Sequence, residues 1–151
     1  MTQKPLFVYG TLQDADILGA VLGRSIDVRS LRTATAPLYS AVIFPDRVYP
    51  ALVSTPGQHA AGLLLESLRP ADLEALDAFE GDEYRRGTLD VLVDGTTIAA
   101  EAYFPVITIS SDQPAWTLAD WTAHHKPSVL DGEIETALAL RERLTAPRRT
   151  P

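Results

Sequence analysis

The chain has 151 residues, of which 46% are hydrophobic and 22% charged. These values are typical of one folded domain and exclude a collagen-like or extensively disordered protein. Because the net charge is −7, the surface field repels phosphate backbones and anionic membranes, so we expect neither nucleic acid nor membrane as a partner. The apolar runs are too short to span a bilayer, and with no cysteine there are no disulfides. We therefore expect a cytoplasmic protein.

The first half of the chain reads as a strand, a glycine turn, a helix and then several strands. Residues 6–9 form a β-prone run that stops at Gly10, and the apolar residues of 14–22 recur at helical spacing. Turn residues such as Thr55-Pro56-Gly57 and Asp94-Gly95 separate the later strands. Those runs cover residues 28–31, 41–44, 51–53, 60–65, 88–93 and 98–104. Many short strands predict a curled sheet or small barrel.

One helix interrupts the strands, over residues 70–80. Pro70 suits the first helical position, Asp72 suits the first turn, and Gly81 suits the position just after the last turn. Strands and helices together make the fold class α+β.

Two more helices are predicted from about residue 115 onward. Thr117 is the expected N-cap of the first, which Pro127 ends. The second begins near Ser128 and carries a stripe of Leu130, Ile134 and Leu138, which the sheet or a second subunit must cover. A homodimer is compatible with that stripe. We expect one domain over residues 1–145 and a fraying tail over 146–151.

The turn at Gly10 lies where a strand passes into a helix. The amides of Thr11, Leu12 and Gln13 could point into a shared space there, and such a turn can hold an anion. The alternative is that Gly10 only makes a tight turn while Tyr9 fills the core.

Glu80 occupies an unusual position on the helix over residues 70–80. At about 100° per residue, Glu80 falls on the apolar face between Leu73 and Leu76. Apolar surroundings and the negative end of the helix dipole should raise the pKa of its carboxyl group, which prepares a general base. The alternatives are an ion pair of Glu80 with Arg85 or Arg86, or a frayed helix end that lets the carboxyl reach water.

Several short motifs, in order, resemble the γ-glutamylcyclotransferase-like family, also called AIG2-like. The resemblance covers about residues 5–105 and rests on Tyr9-Gly10-Thr11-Leu12, Tyr49-Pro50-Ala51-Leu52-Val53, Gly62-Leu63, Leu76-Asp77-Ala78-Phe79-Glu80-Gly81 with Tyr84 and Arg86, and Ala102-Tyr103. It implies a small mixed β-barrel with helices at its edge. It also implies that the Tyr9-Gly10 loop binds a glutamyl head and that Glu80 is the acid/base catalyst.

The resemblance also implies a reaction. In a γ-glutamyl amide, the α-amine attacks the γ-carbonyl and closes 5-oxoproline, with no metal or other cofactor. Thr11 and Leu12 after the Tyr9-Gly10 pair look more like the branch acting on γ-glutamylamines, although the four residues that follow, 13–16, depart from that branch. The turn amides would hold either the oxyanion or the substrate α-carboxylate.

The remaining candidate residues leave alternatives open. Tyr84 and Tyr103 either line the pocket, as substrate-binding residues, or are buried tyrosines with satisfied hydroxyls. Arg86 is either a structural ion pair or a substrate contact. His124 and His125 are adjacent and make poor metal-ligand geometry, so we expect no metal. A non-catalytic small-molecule-binding or regulatory module is the alternative to the enzyme.

Overall fold

The computed structural model describes residues 4–145, and its centre is a closed barrel of five strands. The strands are β1 (Leu6–Val8), β2 (Thr33–Ile43), β3 (Pro50–Leu65), β4 (Tyr84–Val93) and β5 (Thr96–Pro105). They are arranged around the barrel in the order β1-β3-β2-β4-β5. The tail predicted over residues 146–151 lies outside the described residues.

The barrel is mixed, because one of its five strand pairs is parallel. β1 pairs antiparallel with β3, with Phe7 opposite Leu64, and parallel with β5, with Leu6 opposite Glu101. The pairs β2–β3, β2–β4 and β4–β5 are antiparallel. The predicted class, a small mixed β-barrel with edge helices, is confirmed.

Three of the predicted strand runs differ from the structure. The run over residues 28–31 is a turn of 3₁₀ helix, Val28–Ser30, because the Asp27 side chain accepts a hydrogen bond from the Arg29 amide at 3.1 Å. The runs over residues 51–53 and 60–65 belong to the single strand β3. The predicted turn between them is a bulge within the β2–β3 pair, where the register shifts and Leu38 and Gly57 both have positive φ.

The first two helices agree with the sequence pattern. α1 (Ala15–Leu22) is capped by the Asp14 carboxylate, which accepts from the Ile17 amide at 3.2 Å. A 3₁₀ turn over Thr11–Gln13 precedes it. α2 (Pro70–Glu80) has the predicted bounds, and it ends at Gly81 with φ 70° and ψ −157°. Only glycine adopts that conformation readily, so Gly81 allows the chain to leave the helix directly after Glu80.

The last two helices differ from the prediction at their junction. α3 (Leu118–His124) is capped by Thr117 as predicted, but α4 (Lys126–Thr145) already includes Pro127, so Pro127 does not end α3. Proline fits there because the first amides of a helix need no intrahelical acceptor. The predicted stripe is also wrong at its end, since Leu138 is 53% exposed while Ala137 is buried.

The helices pack beside the barrel around a common apolar core. The largest buried cluster joins the strand residues Leu6 and Val8 to α1, α2 and the two tryptophans, Trp116 and Trp121. None of the helices in the described part of the chain is long and apolar enough to cross a membrane. The end of β1 and the end of α2 meet at this core, and the candidate site lies between them.

Candidate functional site

One pocket brings together every binding or catalytic residue predicted from the sequence. Its lining includes the turn after β1, the end of α2 and two barrel tyrosines, namely Tyr9, Gly10, Thr11, Leu12, Glu80, Tyr84 and Tyr103, together with Phe7, Val8 and Pro50. The cavity volume is about 30 Å³. Since a water molecule needs roughly 10–15 Å³ of such volume, this inner pocket accepts only a small polar group.

The glycine turn has fewer free amides than the sequence suggested. Gln13 donates its amide to the carbonyl of Gly10 at 3.0 Å, so this amide is not available to a ligand. For the amides of Thr11 and Leu12, residues 4–145 supply no backbone acceptor, as expected at the start of a helical turn. Two amides, and not three, can therefore face a bound anion.

Gly10 has a packing role that the sequence did not reveal. A Cβ atom at Gly10 would lie 2.8 Å from Cγ of Pro50 and 3.1 Å from its Cδ, and both residues line the inner pocket. The glycine lets the turn lie against the proline ring at the beginning of β3.

We predict that Gly10→Ala destabilises the protein by about 1–3 kcal/mol, the range for overpacking, and narrows the inner pocket. Thermal unfolding measures the first effect, and calorimetric titration with 5-oxoproline measures the second. The double variant Gly10→Ala with Pro50→Ala should regain most of the lost stability, because the ring that meets the new methyl group is gone. An unaltered melting temperature in the single variant would show that the turn is not tightly packed.

Glu80 is partly buried, and its carboxyl group faces both the inner pocket and a second pocket beside it. Burial raises the pKa of Glu80 to about 8, with smaller contributions from the negative charges of Glu133 and Asp77. Within residues 4–145, Glu80 has no ion-pair partner. The sequence alternative of an ion pair with Arg85 or Arg86 is therefore wrong, because Arg86 binds Asp77 and Glu101.

A hydrogen-bonded chain holds the last turns of α2 against the barrel. The Tyr103 hydroxyl donates to Oδ1 of Asp77 at 2.6 Å, and Arg86 donates to both Asp77 oxygens at 3.1 and 3.2 Å. Arg86 also contacts Glu101 at 3.0 Å. These contacts fix the helix end that carries Glu80 and assign Arg86 to an ion pair, as one of the two sequence interpretations proposed.

The three tyrosines of the inner pocket are held by their hydroxyl groups. Tyr9 donates to the backbone oxygen of Tyr103 at 2.5 Å, and Tyr84 donates to the backbone oxygen of Pro50 at 2.6 Å. Burial raises the pKa of each of the three phenols well above its ordinary value. They are neutral side chains with fixed positions in the pocket wall.

The second pocket adjoins the first and is larger, with a volume of about 200 Å³. This outer pocket shares Thr11, Glu80 and Tyr84 with the inner pocket, so the two spaces meet at Glu80. Its other lining residues are Tyr49, Phe79, Glu83, Glu133 and Thr136. A ligand in either pocket would therefore lie beside Glu80.

Sequence reasoning missed most of the outer pocket, although one signal was available. Glu133 follows Leu130 by three residues and precedes the buried Ala137 by four, so a carboxylate again lies on an apolar helix face. The same pattern singled out Glu80. Pro50 and Tyr49 were noticed only as part of a motif, with no role assigned.

Several other candidates lie away from the pockets. Trp116 and Trp121 are buried in the core, and Trp116 donates its indole N–H to the carbonyl of Val48 at 2.9 Å. Over the described residues 4–145, no three His, Asp or Glu side chains lie close enough together to hold a metal ion.

Comparison with known proteins identifies the family of this chain. Residues 6–123 match the family described as gamma-glutamyl cyclotransferase, AIG2-like. The chain belongs to this family. AIG2-like protein A of Arabidopsis thaliana is 29% identical over 129 residues, covering 83% of this chain and 76% of that protein. AIG2-like protein D of the same organism is 25% identical over 152 residues, covering 98% and 95%. The resemblance drawn from the motifs is thereby confirmed.

Solved structures share the barrel. A solution structure of a protein from Arabidopsis thaliana has a TM-score of 0.65 and 27% identity, covering 98% of this chain and 97% of that one. A structure of a gamma-glutamyl cyclotransferase has a TM-score of 0.59 and 15% identity, covering 97% and 89%. At this low identity the second comparison shows the common fold alone. Helix α4 begins beyond residue 123, where the family match ends.

Proposed function

We propose that this chain converts a γ-glutamyl amide into 5-oxoproline and a free amine, with Glu80 as the acid and base. The observation that carries this proposal is a carboxyl group with a pKa of about 8, facing a pocket that also contains a turn with free amides. A general base with a pKa near neutrality combines a useful fraction of the ionised form with a strong enough affinity for a proton.

Two protons leave the substrate α-nitrogen in this reaction, and Glu80 carries each of them. Ionised Glu80 removes the first proton from the α-ammonium, and the freed amine attacks the γ-carbonyl carbon to form the ring C–N bond. Protonated Glu80 gives this proton to the departing nitrogen as the original amide C–N bond breaks. Ionised Glu80 then takes the second proton from the ring nitrogen, which becomes the N–H of 5-oxoproline, and passes it to the free amine, which leaves as an ammonium. The substrate supplies its own nucleophile, so the protein provides position, charge and proton transfer.

The amides of Thr11 and Leu12 are the groups we propose for the anion that accompanies this step. In one arrangement they stabilise the oxyanion formed at the γ-carbonyl, and in the other they hold the substrate α-carboxylate. The small inner pocket suits either group. The leaving amine then extends past Glu80 into the outer pocket, and it belongs to the class of γ-glutamylamine leaving groups that the Thr11-Leu12 resemblance favours.

Incubation with a panel of γ-glutamyl amino acids, γ-glutamylamines and γ-glutamyl isopeptides tests this proposal. We expect 5-oxoproline, detected by mass spectrometry, to accumulate above a protein-free control with at least one member. If no member is converted but several bind, the pocket belongs to a binding module and the enzyme proposal is wrong.

The pH dependence of kcat/KM gives a second prediction. Glu80 must be ionised to accept a proton, and its pKa is about 8. The substrate α-amine must begin protonated, and its pKa lies above the ~8 of a peptide N-terminus because the neighbouring α-carboxylate favours the ammonium. We therefore expect a bell-shaped profile with its maximum between about pH 8 and the pKa of the α-amine, falling about tenfold per unit on the acid side. An acid limb centred near pH 4.5 would contradict the assignment, because Glu80 would then ionise as an ordinary carboxyl group.

A further inference from the structure

Helix α4 forms one wall of the outer pocket. Glu133 and Thr136 both come from this helix, and both line the cavity together with Glu80 and Thr11. The family match ends before α4 begins. Glu133 and Thr136 therefore lie outside the matched region, whereas the other residues that line the outer pocket lie within it.

Polar contacts to α1 and its flanks fasten α4 near both of its ends. At its beginning, Nζ of Lys126 lies 2.7 Å from a carboxylate oxygen of Asp14 and 2.9 Å from one of Asp16. Near its other end, Arg141 donates to the carbonyl of Val21 at 3.2 Å. Glu133 lies between these anchors, one turn from the buried Ala137, so its position in the pocket wall is well defined.

The carboxylates around the outer pocket differ in whether a cationic side chain pairs with them. Glu83 is paired with Arg47, whose Nε lies 3.3 Å away, and it also accepts a hydrogen bond from Tyr49. Glu133 lies within 4.0 Å of no cationic group in the portion of the chain that the structure describes. Burial raises the pKa of Glu133, as expected for a carboxyl group without a counter-charge. A positive group in the cavity would supply the charge that the protein itself does not.

We propose that Glu133 determines specificity at this site by favouring γ-glutamyl amides whose leaving amine carries a second, positively charged group. This inference rests on the proposed function, because it assumes that the leaving amine occupies the outer pocket. A γ-glutamyl conjugate of a diamine has such a leaving group. A leaving group that ends in a carboxylate is repelled by the same side chain.

Three substrates of equal length test the inference. γ-Glutamyl-1,4-diaminobutane, γ-glutamylpentylamine and γ-glutamyl-4-aminobutyrate end, at the same number of atoms from the scissile nitrogen, in an ammonium, a methyl group and a carboxylate. We expect kcat/KM to fall in that order, with a cation-to-neutral ratio of about fivefold, the upper end for a partly exposed charge pair. The ratio should shrink towards one at high ionic strength.

Variants of α4 identify the residue responsible. Glu133→Gln should reduce the cation-to-neutral ratio, with the remaining preference due to Glu80 in the same pocket, and Glu133→Lys should reduce the ratio further. Glu135→Gln is the matched control, because it removes the same charge from an exposed position on the same helix and should leave the ratio as in the wild type. A ratio that Glu133→Gln does not change overturns the inference while the cyclisation reaction stands.

A binding measurement separates this inference from the reaction itself. Calorimetry on Glu80→Gln, alone and combined with Glu133→Gln, gives affinities for the same three compounds without turnover. One outcome is that the wild type releases no 5-oxoproline while the cationic compound binds about fivefold more tightly than the neutral one only when Glu133 is present. In that case the proposed reaction is wrong, and the proposed preference for a cationic leaving group is right. Equal affinities in both proteins overturn the selection.

Discussion

Glu80→Gln should lower kcat/KM by about two to four orders of magnitude, the range for a lost general acid and base. The amide keeps the shape of the side chain but cannot take up the substrate proton. Binding of 5-oxoproline should persist, because the turn at Gly10 and the tyrosine walls are unchanged. Glu74→Gln, an exposed change on the same helix, is the control and should retain wild-type activity.

The same variant should also alter stability in a defined pH range. A carboxyl group whose pKa is raised by folding costs stability wherever the unfolded chain is ionised and the folded one is not. For Glu80 this range runs from about 4.5, the ordinary value, to about 8. The melting temperature of Glu80→Gln relative to the wild type should therefore rise between these pH values and level off above. A variant that melts several degrees lower at pH 7 would make Glu80 a structural residue.

Asp72→Ala should strongly destabilise the protein. Asp72 is 1% exposed, and its oxygens accept from the Arg69 amide at 3.0 Å and from Arg24 at 2.8 and 3.2 Å. Removing it abolishes the cap of α2 and leaves Arg24 without its carboxylate. We expect a loss of about 3 kcal/mol, the lower end for a broken buried pair because Arg24 is partly exposed.

Chemical denaturation measures this loss, with the exposed change Asp131→Ala as the control. Burial alone would raise the pKa of Asp72, but the hydrogen bonds from Arg24 and Arg69 outweigh it and hold the pKa well below its usual range. The stabilisation is thus complete above the unfolded pKa of about 3.9 and is lost as the pH falls further. An equal effect of Asp72→Ala at pH 3 and pH 7 would contradict this assignment.

The sequence predicted those elements whose conformation is determined by residues close together in the chain. The helical period and the flanking Pro70 and Gly81 fixed the bounds of α2 and placed Glu80 on its apolar side. The strand predicted over residues 28–31 is wrong. Its β-prone residues pair with no other strand within the described residues, and the hydrogen bond to the Asp27 side chain favours a 3₁₀ turn instead. Residues 55–57 are typical of a turn, but β2 and β3 pair on both sides of them, so these residues form a bulge within one long strand.

The site divides in the same way. The inner pocket could be predicted, because its residues belong to short motifs at the ends of β1 and α2. The outer pocket could not be, since α4 is placed against it by tertiary contacts such as Lys126 with Asp14, 112 residues apart. The sequence likewise does not reveal that Glu83 pairs with Arg47 while Glu133 pairs with no arginine in the described residues.

Product analysis in water enriched in ¹⁸O tests the central claim most directly. γ-Glutamylbutylamine and γ-glutamyl-1,4-diaminobutane are incubated with the wild type and with Glu80→Gln, and both products are quantified by mass spectrometry. Intramolecular cyclisation predicts equimolar 5-oxoproline and amine, no ¹⁸O in the 5-oxoproline, and a rate at least a hundredfold lower in the variant. Release of glutamate carrying one ¹⁸O atom, or equal rates in the two proteins, would contradict the account.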